Sequence, residues 1–409
     1  GHLFDLSRFN YMKFNVKARR PLKVEIESPQ YNKRTIDLYT TNWNPALAGQ
    51  WQEVTIPITN FGFGRPLTNV YGSFSATLLS PRTKSLSFPS TNVGYAVGSM
   101  YDGGRGVQVS SILKTSGNGG TNWVFLTPGT NYELTTFYDV DFVNTSTGWV
   151  AAAEKGVLRT TDGGLTWTQQ TNGFTNASIY SVDFVDANTG WALDGALHGR
   201  VFKTVNGGAT WTAQYTCSNM YVYYSKLRFA NANNGWAIGG MWYATGRVMR
   251  TVNGGTTWTE LDVGSNVLVD VYVINATNVV VSGQGAAVRK SADAGATWTD
   301  IGIPYSYDAF YGTGWQNPQT GFVCGVNGSV YKTTDGGASW SGSWCGYYGN
   351  ASDFVFTDSG TLFMALDTPY NTPCILKSTD FSSSYPSWQR MDGDANQFSI
   401  DNVRWSLTP

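Results

Sequence analysis

The chain has 409 residues, enough for two or three domains, and only 13% of them are charged, against about a quarter in typical soluble domains. Its net charge of −1 excludes the basic surface with which proteins recruit nucleic acid, and it contains no run of roughly 18 apolar residues that could form a membrane helix. The many glycines (47) and aromatic residues (15%) favour short strands joined by tight turns.

The first segment, residues 1–80, has the alternation of a β-sheet domain. Apolar and polar residues alternate around Phe14 and Ile26, which predicts short strands with one buried face. The stretches FDLSRFNYMKFNVKA, PLKVEIE and QWQEVTIPITNF resemble the jelly-roll β-sandwich of carbohydrate-binding modules. This resemblance implies a glycan-binding surface, for which Trp43 and Tyr39 are the candidate stacking platforms.

A motif of the form S/T-x-D/N-x-G-x-x-W recurs along most of the remaining chain. Successive tryptophans lie between 40 and 48 residues apart, the period of one four-stranded propeller blade. Six copies are nearly intact and a seventh is decayed: Ser116–Trp123, Thr160–Trp167, Thr204–Trp211, Thr251–Trp258, Ser291–Trp298, Thr333–Trp340 and Ser378–Trp388. Seven units of this kind predict a closed ring.

Each copy contains four short β-prone runs, A to D, and the motif falls in the turn between runs C and D. The Asp or Asn side chain of the motif can accept backbone N–H groups, while the glycine supplies a positive φ. We therefore expect a structural turn in every blade, with its tryptophan packed between neighbouring sheets, rather than seven ligand sites.

These residues resemble the Asp-box (BNR) repeat of sialidase-like proteins. The longer pattern VDFV…TGW…G…TTDGGLTW resembles the Ycf48-like family of photosystem II assembly factors. The resemblance covers residues 84–391 and implies a seven-bladed β-propeller. It implies little about function, because the matching residues are mostly scaffold. A sialidase would add an arginine triad and a Tyr/Glu nucleophile pair, which we cannot assign in this sequence.

The last strand-like stretch, FSIDNVRW at residues 398–405, resembles the final strand of the same carbohydrate-binding modules. We therefore predict an all-β chain in which a propeller (84–391) is inserted into a jelly-roll sandwich made of residues 1–80 and 393–409. The alternative is a propeller that follows a separate N-terminal domain and ends in a tail. The resemblance also makes Asp401 a candidate ligand of a structural calcium, the alternative being an ordinary turn bond; no other cofactor is expected.

The loops divide between two faces of the predicted ring. The A–B turns and the Asp-boxes share one uniform face, whereas the B–C and D–A loops share a face rich in aromatic residues. Such residues accumulate on binding surfaces. The candidate ligand-binding residues on this face are Tyr101, Asp102, Arg105, Trp242, Tyr243, Tyr305, Tyr307, Trp344 and Tyr347.

The cysteines do not predict a metal site. None of the four forms a CxxC pair, and the chain has only two histidines, which argues against zinc. Cys345 and Cys374 lie in adjacent repeats and are the candidates for one disulfide. The alternative is that the cysteines are buried free thiols.

The composition, poor in Lys and Glu and rich in Asn, Thr, Ser, Gly and Tyr, predicts an exported protein at the cell surface or outside the cell. The leading hypothesis is non-catalytic recognition of a carbohydrate or a cell-surface protein through the aromatic face and the sandwich. A second hypothesis is a glycoside-cleaving enzyme that uses acids at the propeller centre. Its candidate acids are Asp102, Glu133, Asp194, Asp308 and Asp367. The third is a structural subunit of a cell-surface assembly, in which the aromatic loops contact a neighbouring copy of the chain.

Overall fold

The computed structural model describes residues 81–391 apart from short gaps, and in the flanks it describes only the backbone of strands. The gaps in the central part are 103–106, 117–122, 127–134, 154, 175–176, 196–198, 218–220, 242–244, 304–305, 307, 358–359, 368–373 and 381–386. No helix in the described part of the chain is long and apolar enough to cross a membrane.

The described elements are strands, numbered here in chain order, and one 3-10 turn at Val326–Gly328. The strands are β1 Leu3–Phe4, β2 Tyr11–Ala18, β3 Lys23–Glu27, β4 Lys33–Asp37, β5 Trp51–Pro57, β6 Val70–Tyr71, β7 Pro81–Ser90, β8 Val93–Asp102, β9 Val107–Ser116, β10 Trp123–Leu126, β11 Phe137–Phe142, β12 Gly148–Ala152, β13 Gly156–Thr160, β14 Thr168–Gln170, β15 Ile179–Phe184, β16 Gly190–Asp194, β17 Arg200–Thr204, β18 Thr212–Thr216, β19 Val222–Phe229, β20 Gly235–Met241, β21 Thr245–Thr251, β22 Thr259–Ser265, β23 Leu268–Val273, β24 Val279–Gly283, β25 Val288–Ser291, β26 Thr299–Asp300, β27 Phe310–Trp315, β28 Gly321–Gly325, β29 Ser329–Thr333, β30 Ser341–Trp344, β31 Asn350–Phe356, β32 Leu362–Asp367, β33 Cys374–Ser378, β34 Gln389–Arg390 and β35 Phe398–Ser406.

Seven four-stranded antiparallel sheets, each built from four consecutive strands, form a β-propeller between β7 and β34. Blade 1 is β7–β10, and each following set of four strands makes the next blade, up to blade 7 at β31–β34. The first strand of each blade contacts the first strand of the next, and β31 contacts β7, so these strands surround the axis. The predicted all-β, seven-bladed propeller is confirmed.

Blade 7 packs directly against blade 1. The Ser352 hydroxyl donates to the Thr83 carbonyl at 2.7 Å, and the Leu86 amide donates to Asp353 Oδ2 at 2.8 Å. One hydrophobic cluster joins side chains of both blades, including Trp123 from blade 1 and Phe363 from blade 7. The ring therefore closes through side-chain packing and hydrogen bonds, while every blade keeps its own four strands.

An aromatic stack joins consecutive blades. Trp149 on the second strand of blade 2 lies flat on Phe184 of blade 3, with ring centroids 3.5 Å apart and planes 4° apart. Trp211, from the Asp-box of blade 3, meets Phe184 edge-on at 5.8 Å. The same stack recurs between blades 3 and 4 with Trp191 and Phe229. Trp211 also packs in one cluster with Trp149 of the preceding blade, and Trp167 with Tyr95 of blade 1, so the prediction that Asp-box tryptophans pack between sheets is confirmed.

The Asp-box is a hydrogen-bonded turn. In blade 5 Asp293 Oδ1 accepts from the Thr297 amide at 2.8 Å, and the Ser291 hydroxyl accepts from the Gly295 amide at 2.7 Å. The hydrogen bonds from the Thr297 hydroxyl and amide lower the pKa of Asp293 to about 2. Because its carboxylate is used inside the turn, the Asp-box is structural, as the sequence predicts.

The cysteine prediction needs a correction. Cys217, Cys324 and Cys345 are buried and take part in no disulfide, so Cys345 does not form the predicted bond with Cys374. The Cys345 thiol instead lies 3.3 Å from the Tyr347 carbonyl in the core shared by blades 6 and 7. Burial raises the pKa of this thiol, which keeps it protonated.

The flanking strands form two separate sheets, ordered β1-β6-β3-β4 and β35-β2-β5. Strand β35 from the C-terminal end pairs antiparallel with β2 from the N-terminal end, with Asp401 opposite Asn15. A jelly-roll sandwich is not established by these backbone pairings, and the domain boundaries stay a prediction. Trp43 and Tyr39 lie outside the described residues, and so does the side chain of Asp401.

Candidate functional site

Each innermost strand carries a β-bulge near its beginning. In β11, for example, the pairing register shifts between Phe137 and Asp139, which places Tyr138 at the bulge. The residues at the equivalent positions of the seven blades are Lys84, Tyr138, Tyr180, Ser225, Val269, Tyr311 and Ser352. A bulge redirects a side chain out of the sheet alternation, and the seven repeated bulges therefore build one ring of side chains.

All seven bulge residues line one cavity of about 420 Å³ on the propeller axis, here called the axial mouth. The innermost strands start from the D–A loops, and the bulges lie near these starts, so the mouth opens on the face formed by the D–A and B–C loops. Asp367, at the end of a second strand, also lines it. The volume lies within the range of small-ligand pockets, about 300–1,000 Å³.

A layer of buried charges lies beneath the mouth. Lys226 Nζ is 2.6 Å from Asp270 Oδ1 and 2.9 Å from Asp353 Oδ1, which joins blades 4, 5 and 7 across the axis. Burial alone would lower the pKa of Lys226, but the two carboxylates raise it, so this lysine is a cation.

The second cation of this layer, Arg228, also comes from β19. Its guanidinium donates to both oxygens of Asp139, at 2.8 and 3.0 Å. The hydroxyls of Ser85 and Ser181 donate to the same carboxylate at 2.8 and 2.5 Å. Burial alone would raise the pKa of Asp139, but Arg228 lowers it. The carboxylate is therefore ionised and has its lone pairs engaged, which makes it a structural group.

A second axial cavity, of about 320 Å³, lies on the other side of this layer. Asp141 lines it, and its Oδ2 accepts from the Phe184 amide at 2.7 Å. Burial, opposed by this hydrogen bond and by Arg228, raises the pKa of Asp141 to about 6. Burial and the charge of Asp141 likewise raise the pKa of Asp183.

The raised pKa of Asp141 predicts a pH-dependent contribution to stability. The folded protein binds this proton more tightly than the unfolded chain, where the carboxyl has its ordinary pKa of 3.8. The stabilisation is therefore complete below a pH of about 4 and is lost as the pH rises through about 6. We expect the free energy of unfolding of the wild type, measured relative to Asp141→Asn, to fall by about 1–2 kcal/mol between those limits.

Urea unfolding across this pH range measures the effect. Asp186→Asn is the matched control, because backbone hydrogen bonds from Asn188 and Thr189 lower the pKa of Asp186 and place its titration below the window. A difference between wild type and Asp141→Asn that stays constant with pH would contradict the assignment.

Of the predicted ligand-binding residues, only Trp344 and Tyr347 have described side chains. Trp344 is 54% exposed, and its indole N–H donates to the Asn327 carbonyl at 3.1 Å. Tyr347 is partly buried against the core shared by blades 6 and 7, and the guanidinium carbon of Arg390 lies 6.0 Å from the centroid of its ring. Neither residue is among the side chains that line the axial mouth.

The other predicted ligand-binding residues of the propeller are not located by the structure. Tyr101 and Asp102 end strand β8, but their side chains are outside the described part. Arg105, Trp242, Tyr243, Tyr305 and Tyr307 also lie outside the described residues. In the part of the chain that the structure describes, no group of three or more His, Cys, Asp or Glu side chains is arranged to hold a metal ion. The calcium site at Asp401 stays a prediction.

The candidate acids with described side chains have partners. Asp194 is buried and accepts from Arg200 Nε at 2.8 Å. Asp367 pairs with Lys84 at 3.3 Å and with Arg82 at 3.6 Å. Asp308 accepts from the Tyr331 hydroxyl at 3.4 Å. Of these three acids only Asp367 lines the axial mouth, where Lys84 and Arg82 are its cation partners.

The fold and the repeat define a class: this is a seven-bladed Asp-box β-propeller. The family model described as Photosynthesis system II assembly factor YCF48 matches residues 120–212 and 171–302. These matches span 120–302 together, which is less than half of the chain. In this part the propeller is similar to that family. No curated protein matches the chain.

Solved structures support the same fold. One titled "YCF48 bound to D1 peptide" is 18% identical, with a TM-score of 0.57 over 70% of this chain and 90% of that one. YCF48 from Cyanidioschyzon merolae is 17% identical, with a TM-score of 0.56, and the match covers 71% of this chain and 95% of that one. The GH74 xyloglucanase from Xanthomonas campestris is 13% identical, with a TM-score of 0.59, and the match covers 76% of this chain and 55% of that one. At these identities the likeness concerns the fold alone.

The predicted extracellular or cell-surface location is wrong. The family model that the chain matches describes an assembly factor of photosystem II, not a secreted glycan-binding protein. The composition is a poor indicator of location here, because the turns of the repeat require polar residues in whatever compartment the protein resides. Asn144, for example, accepts the amides of Ser146 and Thr147 in an A–B turn. The predicted carbohydrate partner likewise has no support from these comparisons.

Proposed function

We propose that this protein is a non-catalytic binding propeller whose axial mouth takes an extended segment of a partner polypeptide. The observation that carries the proposal is the ring of bulge residues, which places Tyr138, Tyr180 and Tyr311 around one accessible cavity. Tyrosine offers a large, rigid contact surface at a low cost in conformational entropy, together with a hydroxyl for hydrogen bonding.

Two further observations support this function. The relative solved with a D1 peptide is a propeller of the same architecture, and it holds a polypeptide segment. The carboxylates beneath the mouth, Asp139, Asp270 and Asp353, are all paired with Lys226 or Arg228. Because each of these carboxylates already has a cation partner, the arrangement favours a binding role for the mouth over proton transfer.

A phage-displayed library of random peptides, selected on the whole protein, tests the proposal. We expect selected peptides to bind the wild type and to bind the Tyr138→Ala/Tyr180→Ala double variant about 10–100-fold more weakly, since central aromatic residues dominate binding energy. Isothermal titration calorimetry gives the dissociation constants. Tyr311→Ala, on the opposite side of the ring, should weaken binding as well.

Leu165→Ala is the matched control, because Leu165 is 64% exposed and lies in an Asp-box on the other face. Circular dichroism and the melting temperature establish that each variant is folded. If no peptide is enriched, or if the enriched peptides bind the double variant as tightly as the wild type, the axial mouth is not a polypeptide site.

A further inference from the structure

The surface of the axial mouth is built mainly from uncharged side chains. Tyr138 and Tyr180 come from neighbouring blades, with ring centroids 4.5 Å apart and planes 32° apart, and so form one continuous aromatic wall. Tyr311 comes from blade 6. Serines at two of the remaining bulge positions and Val269 at a third complete most of the ring, and only Lys84 carries a charge.

The charges at and below the mouth are paired with one another. At the rim, Asp367 lies between Lys84 and Arg82. In the buried layer beneath the mouth, the side chain of Lys226 is only 13% exposed and lies between two aspartates. Both terminal nitrogens of Arg228 donate hydrogen bonds to Asp139. Each of the four carboxylates named here therefore has a cation within 3.3 Å.

This pairing selects against a charged ligand group. A cation or anion entering the mouth would lose its hydration and would have to displace a partner from an existing pair, and both steps cost free energy. An uncharged group meets no such penalty. It gains contact with tyrosine rings and can use their hydroxyls or those of the serines for one or two hydrogen bonds.

We infer, on the basis of the proposed function, that the mouth accepts an uncharged, ring-bearing side chain, either proline or an aromatic residue, from an extended polypeptide. The tyrosine rings of the mouth favour these side chains because they can stack on the flat ring of an aromatic residue or the semi-rigid ring of proline. Proline-containing segments also lose little entropy on docking to aromatic-lined surfaces, since they are already extended. Specificity in this site comes from shape and stacking, and the buried ion pairs exclude competing charged residues.

Synthetic versions of a selected peptide test the inference. An alanine scan of the peptide identifies the anchor, which is the residue whose loss weakens binding most and whose effect disappears in Tyr138→Ala/Tyr180→Ala. We expect that anchor to be proline or aromatic, and we expect replacing it with lysine or glutamate to weaken binding about 10-fold or more, because either charge must be desolvated. Between about 50 and 500 mM NaCl the dissociation constant should change less than about 3-fold, since screening affects only charged contacts.

Tyr311→Phe and Tyr311→Ala supply a matched pair on the protein side. The phenylalanine variant keeps the ring and should retain binding within about 3-fold, whereas the alanine variant should lose about 10-fold. Binding that depends on the tyrosines but prefers a lysine, arginine or acidic anchor, or that falls steeply with salt, overturns this inference and leaves the proposed function standing. If no peptide binds in a way that depends on the tyrosines, both this inference and the proposed function fail.

Discussion

Lys226→Met is expected to lower the free energy of unfolding by about 3–5 kcal/mol, because it leaves two buried carboxylates without their cation. The ammonium group lies within 2.9 Å of both Asp270 and Asp353, which come from different blades. Methionine fills most of the lysine volume, so the change isolates the missing charge rather than a cavity. The urea midpoint and the melting temperature measure the loss.

Arg82→Met is the matched control for this experiment. Arg82 also faces a carboxylate, that of Asp367 at 3.6 Å, but its side chain is 42% exposed. Solvent screens this pair, so its removal should cost no more than about 1 kcal/mol. If both variants lose stability equally, the axial charges contribute no more than a surface pair, and the account of a buried ionic layer fails.

Trp149→Ala should destabilise the protein by about 3–5 kcal/mol, the usual cost of removing a buried tryptophan. Trp149 is fully buried, stacks on Phe184, and donates its indole N–H to the Gly207 carbonyl at 3.0 Å. One side chain thus joins blade 2 both to the innermost strand and to the Asp-box of blade 3. Denaturant unfolding monitored by circular dichroism measures the effect.

Trp149→Phe separates the two contributions of this residue. Phenylalanine keeps a ring over Phe184 but leaves the Gly207 carbonyl without this donor, so we expect an intermediate loss of about 1–2 kcal/mol. Leu165→Ala on the exposed part of an Asp-box should change stability by no more than about 0.5 kcal/mol. A loss from Trp149→Ala as small as that of Leu165→Ala would mean that the stacks between blades do not hold the ring together.

The propeller could be predicted because its evidence is local in sequence. Each copy of the Asp-box carries its own turn residues and its own tryptophan, and the spacing of the copies gives the blade size. Seven copies imply closure, which the contact of Asp353 with the start of blade 1 fulfils. These features depend on residues close together in the chain, where sequence patterns are most informative.

The axial mouth could not be predicted in the same way. Tyr138 and Tyr180 sit inside strands that read as regular alternation, and only the bulge turns them towards the axis. The pairing of Lys226 with Asp353 joins residues that are far apart in sequence, and no short motif records it. Sequence reasoning chose aromatic residues in loops, although the cavity is lined chiefly by strand residues. A search for the residue before each inner-strand aspartate would have found only Tyr138 among the three tyrosines, because Tyr180 precedes a serine and Tyr311 precedes a glycine.

The two axial cations both come from β19, and this has a consequence for how such a chain can change over generations. Repeat proteins commonly grow, shrink or reorder by copying whole units. Here a second copy of blade 4 would bring two extra buried cations. Deletion of blade 4 would leave carboxylates on three other blades without their cations. Units that look interchangeable in their turns are therefore tied to one place in the order, and their number is constrained by charge as well as by geometry.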